Sequence, residues 1–451
     1  MRKLIKVAKF GGTSMADIPS MRRCAKIVAD DPHKKIVIVS ATAGTTNVLT
    51  QLCTALPEVE KRTLLDQIKE RHTGLCAELK DAGDVLPKIS ELIDDLEQSV
   101  HNLVPGSMAD RDYILSFGER LSSTVFAEVL NEFTGDVTWL DVREVILTDD
   151  FFGSAEPQIS EIAMRAQKDL MPLIESGRVV SQGFIGSTID GKTTTLGRGG
   201  SDYSAALFAE AVGADVLEIW TDVRGIYSTD PRIVKDARPI PEMTFNEAAE
   251  LAIFGAKVLH PATLKSVIRK NIKVYVASSM ELEKPGTWIV EKTDEFPVIR
   301  AISLRRNQTL LTVHSLDMLH RFGFLARLFE VLSNHKISVD LVTTSEVNVS
   351  LTLDTGVQSD NQHRLTPEVL AELGSFSRVK VEKNLALIAL IGNNLHATSG
   401  ISGRVFGQLE NVNVRMICHG ASSHNLCFLV EEDSVEEAVK VLHKKFISGR
   451  N

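Results

Sequence analysis

Along the first 290 or so residues, short and nearly continuous apolar runs alternate with longer stretches whose apolar positions recur at helical spacing. The runs LIKVAKF (4–10), KIVIVSA (35–41), RVVSQGFIG (178–186), VLEIWTD (216–222) and KVYVASS (273–279) predict strands. Several are apolar on both faces, which fits strands covered by helices on either side, as in a parallel sheet. SDYSAALFAEAVG (201–213) and TFNEAAELAIFGAKVLH (244–260) predict helices, and residues 51–135 read as a mostly helical insertion capping one side of the sheet. The alternation predicts an α/β three-layer sandwich with a mostly parallel sheet over residues 1–292.

Beyond about residue 292 the units shorten. TLLTVHS (309–315), FGFLARLFEVLSNHK (322–336), SVDLVTTS (338–345), VNVSLTLD (347–354), TPEVLAELGSF (366–376) and RVKVEK (378–383) predict a βαββαβ module. The order then restarts with LALIALIG (385–392), SGRVFGQLENVN (402–413), VRMICHG (414–420), NLCFLVEE (425–432) and SVEEAVKVLHKKF (434–446). This internal repeat is a domain-level signal. The second copy lacks its last strand, while PVIRAISLR (297–305) precedes the first copy without a partner. An open sheet edge invites aggregation. The expectation is that 297–306 completes the second module (385–451), with the first (308–384) inserted into it.

Composition narrows the classes. A chain of 451 residues calls for two or three domains. Its net charge of −9 argues against a general nucleic-acid binder, which needs a concentrated basic surface. No apolar run approaches the roughly 20 residues of a membrane span, and Lys6 and Lys9 interrupt any signal-peptide core. A cytoplasmic location is expected. The cysteines at 24, 53, 76, 418 and 427 are scattered, fitting reduced core thiols and offering no metal site.

Residues 186–193, GSTIDGKT, fit the phosphate-loop pattern G-x-x-x-x-G-K-[ST] letter for letter. The context does not support that role, because TTTLGRGG follows Lys192 and cannot open a helix. Asp190-Gly191 instead predicts a hairpin turn between threonine-rich strands, with the next helix starting near Ser201 or Asp202. Two other glycine elements have better settings. Lys9-Phe10-Gly11-Gly12 ends the first strand, where a Gly-Gly turn brings backbone amides close to phosphate oxygens and Lys9 adds a point charge. Gly197-Arg198-Gly199-Gly200-Ser201-Asp202 opens a helix whose N terminus favours anions, and Arg198 offers a planar fork for a carboxylate. Both lie at C-terminal ends of strands, the usual place for a ligand crevice in an open α/β sheet.

KFGGTS (9–14), SATAGTTN (40–47), SFGERLS (116–122), TTTLGRGGSDYSA (193–205), WTDVRGIYSTDPR (220–232) and FGAKVLHPAT (254–263) resemble, in order, the motif series of the aspartate kinases. These have an amino-acid kinase (carbamate-kinase-like) domain, and the repeat resembles their tandem ferredoxin-like ACT modules. The resemblance implies transfer of the ATP γ-phosphate to the side-chain carboxylate of L-aspartate, with Mg2+ arriving on the nucleotide. Lys9, helped by Gly11 and Gly12, is then implied to stabilise the transferring phosphoryl group. Arg198 is implied to clamp the substrate α-carboxylate, Gly199 and Ser201 to bind the substrate beside it, Glu119 to meet its amino group or Lys9, and Thr45 to contact another part of it. Asp202 is read either as a helix cap or as a substrate or Mg2+ contact. Phe10, Thr221, Asp222, Tyr227, Arg232, Lys257 and Val258 are implied on the nucleotide side, and His260 is read as a structural helix-end residue.

The second half resembles the lysine-sensitive, single-function class most closely, so an enzyme without the dehydrogenase region of the bifunctional class is expected. Gly323, Phe324 and Leu325 would offer amides to the carboxylate of an L-lysine effector, and Asp340 and Glu346 would meet its ammonium. Met318, Ser338, Val339 and Ser345 would line its stem. Arg321 departs from the small polar residue expected there; a side chain entering the site would repel lysine. A homodimer or tetramer joined through the ACT modules is expected. The competing readings are a kinase of the same fold with another acceptor, such as glutamate, and a non-catalytic amino-acid sensor.

Overall fold

The computed structural model describes residues 4–255, 259–319, 322–353 and 365–449. They fall into two units, the first comprising Met1–Ile226, Pro239–Ala248 and Lys257–Thr293, the second Tyr227–Arg238, Ala249–Ala256 and Asp294–Asn451.

The first unit holds β1 (Lys6–Phe10), β2 (Lys34–Val39), β3 (Val137–Leu140), β4 (Arg178–Gln182), β5 (Ile185–Ser187), β6 (Thr193–Thr195), β7 (Val216–Thr221), β8 (Glu242–Thr244), β9 (Lys273–Ser278) and β10 (Thr287–Val290). Eight of these form one sheet in the order β3-β4-β2-β1-β7-β9-β10-β8. Its described pairings are parallel except β9 with β10. The chain leaves β1 towards β2 on one side and returns as β7 on the other, so β1 marks the switch in strand order. Ligand crevices open at such a point, outside the C-terminal strand ends.

The helices of this region are α1 (Ile18–Ala29), α2 (Thr45–Leu52), α3 (Glu58–Ala77), α4 (Val85–His101), α5 (Met108–Thr134), α6 (Ile159–Arg165), α7 (Met171–Ser176), α8 (Gly200–Val212), α9 (Phe245–Ile253), whose course crosses the boundary between units, and α10 (Pro261–Lys270). The long α5 is bounded by an Ser107 cap that accepts from the Asp110 N–H and by Gly135 in the left-handed region. Its Phe117, Leu121 and Phe126 pack with Ala8, Phe10, Val37 and Val39 of the central strands and with Met21 of α1. Burying one such side chain contributes about 1.5–3 kcal/mol, so α5 is fixed firmly over the sheet.

The helix predicted over 244–260 ends earlier, at Ile253. Gly255 has φ of +108°, where an added Cβ would meet the Leu304 carbonyl, and helical geometry cannot continue through it.

The second unit is built on β11 (Ala301–His314), β12 (Val339–Thr344), β13 (Asn348–Leu353), β14 (Arg378–Ile391), β15 (Val414–His419) and β16 (Asn425–Glu431), an antiparallel sheet ordered β12-β13-β11-β14-β16-β15. Its helices are α11 (Phe324–Asn334), α12 (Pro367–Gly374), α13 (Ile401–Phe406) and α14 (Val435–His443). Two pairs of strands read separately in the sequence are continuous, because β11 and β14 each run 14 residues. Residues 309–314 of β11 pair with β13, and residues 301–305 lie beside 387–391 of β14, which pairs onward with β16. Asn307 and Asn384, both at φ of +58°, absorb the irregularity between the halves. One apolar cluster, around Leu328, Val349 and Leu373, underlies the 309–353 half; another, around Ile388, Phe428 and Leu442, underlies the rest.

Candidate functional site

β1 ends at Phe10 and the chain turns immediately, with the Gly11 N–H donating to the Trp220 carbonyl at 3.1 Å. That bond ties the glycine turn to the end of β7. Lys9, only 9% exposed, directs Nζ to Asp202 Oδ1 at 2.7 Å. Asp202 stands in the first turn of α8 but does not cap it; the N-cap is Gly199, with no side-chain cap bond. Gly199 has φ of +70°, and a Cβ there would lie 2.5 Å from Cβ of His260. Only glycine satisfies both conditions, so the α8 amide terminus can approach the cavity closely. His260 caps α10, its ring accepting from the Ala262 N–H.

The loop 40–44 between β2 and α2 is gripped from the side of α5. Ser122 donates to the Ser40 carbonyl at 2.7 Å, and the Ala41 N–H donates to Glu119 Oε1 at 3.1 Å. Gly118 permits this approach, since a Cβ there would sit 2.8 Å from Cβ of Ala41. Glu119 is 4% exposed, and its Oε2 has no hydrogen-bond partner. Burial pushes its carboxyl up to about 8, against the opposing pull of the Ala41 N–H and of Lys9. A buried polar atom without a partner, facing a cation, is poised for an incoming donor.

Lys9, Gly12, Thr42, Glu119, Phe184, Arg198, Gly199, Ser201 and Asp202 share one cavity of about 420 Å³. A larger open depression of about 790 Å³ lies beside Gly213, Asp215, Lys270 and Lys273, where α8 and α10 end. Helix C-termini carry partial negative charge and disfavour phosphate, so the smaller cavity is the better anion site.

Most sequence-predicted substrate and phosphate residues of the first unit converge here, whereas Phe10, Gly11 and Thr45 are not among the lining residues. Phe10 is fully buried and stacked on Trp220 at 6.3 Å, leaving only its backbone for a ligand. Thr45 is 2% exposed and does not line the cavity; its hydroxyl is 2.5 Å from that of Thr42, which does. Thr221 ends β7 beside the glycine turn and bonds the exposed Asp222 at 3.0 Å. Tyr227 and Arg232 belong to the second unit, where the exposed Arg232 pairs in bidentate fashion with Asp230. Lys257, Val258 and Arg321 lie outside the described residues.

GSTIDGKT forms the β5–β6 hairpin, with Gly186 opposite Thr194 and Gly191 at φ of +78° in the turn. Lys192 is exposed, and α8 opens only at Gly200.

In the second unit, Gly323 opens α11 at φ of +86°, followed by Phe324 and the exposed Leu325. Met318, Phe324 and Val339 pack on one apolar cluster, and Ser338, Ser345 and Glu346 are exposed. Asp340 is paired with Arg305, so its charge is already met within the chain.

Sequence reasoning did not single out Thr42, His72 or Phe184. Phe184 lines the cavity in a left-handed conformation, φ of +69°, held by its N–H bond to Ser204 Oγ at 3.0 Å. An aromatic residue is uncommon there, and RVVSQGFIG read as one uninterrupted strand gave no sign of it.

An open, mostly parallel sheet with two glycine turns at its switch point, followed by a doubled βαββ sheet, is the architecture of the amino acid kinase family with ACT domains. The model of the amino acid kinase family matches residues 5–278, and that of the ACT domain residues 311–357 and 388–446. Lysine-sensitive aspartokinase 3 of Escherichia coli (strain K12) is 49% identical over 441 residues, covering 97% of this chain and 98% of that protein. A chloroplastic aspartokinase 3 of Arabidopsis thaliana is 37% identical over 99% of this chain and 82% of its own. The crystal structure of E. coli aspartokinase III with aspartate and ADP superposes with a TM-score of 0.90 at 48% identity, covering 98% of this chain and 99% of that one. The same enzyme with lysine and aspartate gives 0.83 at 48% identity, with the same coverage. The chain belongs to the aspartokinases.

Proposed function

We infer that this chain phosphorylates the side-chain carboxylate of L-aspartate with ATP, giving 4-phospho-L-aspartate, and that L-lysine inhibits it through the ACT modules. The observation that carries the reading is the convergence of the Lys9–Asp202 pair, Glu119 and Arg198 on one cavity at the C-terminal ends of the strands. A carboxylate is already ionised at neutral pH, so attack on the γ-phosphate needs no general base. Catalysis then rests on positioning and on neutralising charge. We assign the substrate α-carboxylate to Arg198 and the α8 N terminus, and its ammonium to the unpartnered Oε2 of Glu119. Lys9 and the Gly11-Gly12 turn stabilise the transferring phosphoryl group, with Thr221 and Asp222 on the nucleotide side.

Among the described residues no three His, Cys, Asp or Glu side chains converge on a metal position. Mg2+ is expected to arrive on ATP, which keeps most ligands as phosphate oxygens and water. Asp202 would hold it from the protein side, and the ion would neutralise phosphate charge.

We assign the lysine effector to the surroundings of Gly323–Leu325, Met318 and Val339, with Ser338, Ser345 and Glu346 nearby in sequence. An effector ammonium reaching Asp340 has to compete with Arg305. Dimers or tetramers joined through the ACT modules belong to the same reading.

The test is an acceptor screen in the presence of ATP-Mg and hydroxylamine, which traps acyl phosphates. Aspartate is expected to yield hydroxamate at a kcat/KM at least about a hundredfold above glutamate, the upper range for discrimination of one methylene. Equal or better use of glutamate overturns the acceptor assignment, and absence of ATP-dependent product supports the sensor reading.

A further inference from the structure

His72 is fully buried on α3, a helix whose other buried residues are Ile68, Leu75 and Cys76. This is a narrow apolar stripe, which an aliphatic residue would fill at lower cost than an imidazole. Both ring nitrogens are nevertheless engaged. Nδ1 is 2.8 Å from the Ile68 carbonyl, and Nε2 is 3.3 Å from Thr42 Oγ1. A carbonyl can only accept, so Nδ1 carries the proton. Burial, reinforced by the neighbouring Arg71, holds the ring's pKa down to about 4, which keeps it neutral at working pH. A neutral imidazole with its proton on Nδ1 presents Nε2 as an acceptor, and Thr42 must donate to it.

The direction then propagates. With the Thr42 proton committed to His72, the 2.5 Å contact between Thr42 and Thr45 requires Thr45 to donate to Thr42. Thr42 and Thr45 are 1% and 2% exposed, so neither hydroxyl can turn freely to bulk water. The relay runs Thr45 to Thr42 to His72 to the Ile68 carbonyl, and Thr42 lines the cavity with Glu119 and Arg198. The adjacent Arg71 also binds the Ala43 carbonyl, so α3 grips the loop at two successive residues.

We propose that His72 is a positioning residue for the phosphoryl acceptor, fixing through Thr42 the direction of the two hydroxyls and the seat of loop 40–44. The proposal rests on the reading of this cavity as the aspartate site.

The test uses the unaltered enzyme, four single variants and one double variant. His72→Leu preserves volume on an apolar stripe, so a residue there for packing alone would lose nothing by it. The expected result is a folded enzyme with an unchanged ATP KM and an aspartate KM raised about three- to tenfold. That range corresponds to one misdirected hydrogen bond of about 0.7–1.4 kcal/mol. His72→Gln, which can return an acceptor towards Thr42, is expected to recover most of the loss. Thr42→Val is expected to raise aspartate KM, and adding His72→Leu to it should have no further effect, since the two act in series. Arg198→Ala tests the underlying site reading separately. If it raises aspartate KM while His72→Leu does not, the inference about His72 fails alone. If neither changes aspartate KM, the site reading fails and takes this proposal with it. Additive effects of Thr42→Val and His72→Leu, or equal increases in both KM values, also overturn the proposal.

Discussion

Glu119 shows how one residue's surroundings define its task. Its carboxyl is buried on α5, takes the Ala41 N–H on one oxygen and leaves the other unpartnered, with Lys9, Arg198 and Asp202 as the other charged groups of the cavity. With its pKa raised from 4.5 to about 8, Glu119 holds a proton at pH 7 before substrate arrives. The sign for binding follows directly: a substrate ammonium favours the carboxylate, so aspartate binding releases up to about one proton at pH 7. The release fades as pH rises past about 8, where the free protein is already ionised. Calorimetry at pH 7 in buffers of different ionisation enthalpy should show it, and Glu119→Gln should abolish it. Buffer-independent heats, or the same release in the variant, contradict the role. Glu119 was legible in the sequence through the SFGERLS motif (116–122). Its raised pKa was not, because that comes from burial, which only the packing of segments distant in the chain creates. His72 and Thr42 were hidden for the same reason, since nothing local in α3 distinguishes a buried imidazole from a surface one.

At the scale of elements, periodicity gave the strands and helices, and context gave their use. GSTIDGKT satisfies a phosphate-loop pattern but lacks the helix that must follow, and it folds as a hairpin with Lys192 exposed. KFGG matches no such pattern, yet it sits on β1 where the strand order switches. What the sequence concealed were irregularities of backbone. Phe184 breaks RVVSQGFIG into two strands, Gly255 shortens α9, and Asn307 and Asn384 join strands that read as separate. Each is a single residue at positive φ, which leaves the apolar period on either side almost untouched. Helix α5 differs in kind: its buried Glu119 and Ser122 interrupt the apolar face because that face also grips loop 40–44.

At the scale of the whole molecule, the repeat after residue 292 marked the ACT region that stands beside the kinase domain. Lysine added at millimolar concentration to an assay saturated with aspartate and ATP is expected to depress turnover, and Asp340→Ala to shift the inhibition to higher lysine. Undiminished turnover removes the effector assignment. The division of labour in the first unit has a sharper test: hydroxamate formation from aspartate and ATP-Mg, compared between the unaltered chain and the variants Lys9→Ala and Lys192→Ala. Removing a preorganised charge from the transferring group costs about 10²–10³-fold in kcat, whereas an exposed hairpin lysine contributes little. Loss of that order in Lys9→Ala with near-normal turnover in Lys192→Ala places the chemistry at the end of β1. Near-normal turnover in Lys9→Ala, or its collapse in Lys192→Ala, would place it elsewhere.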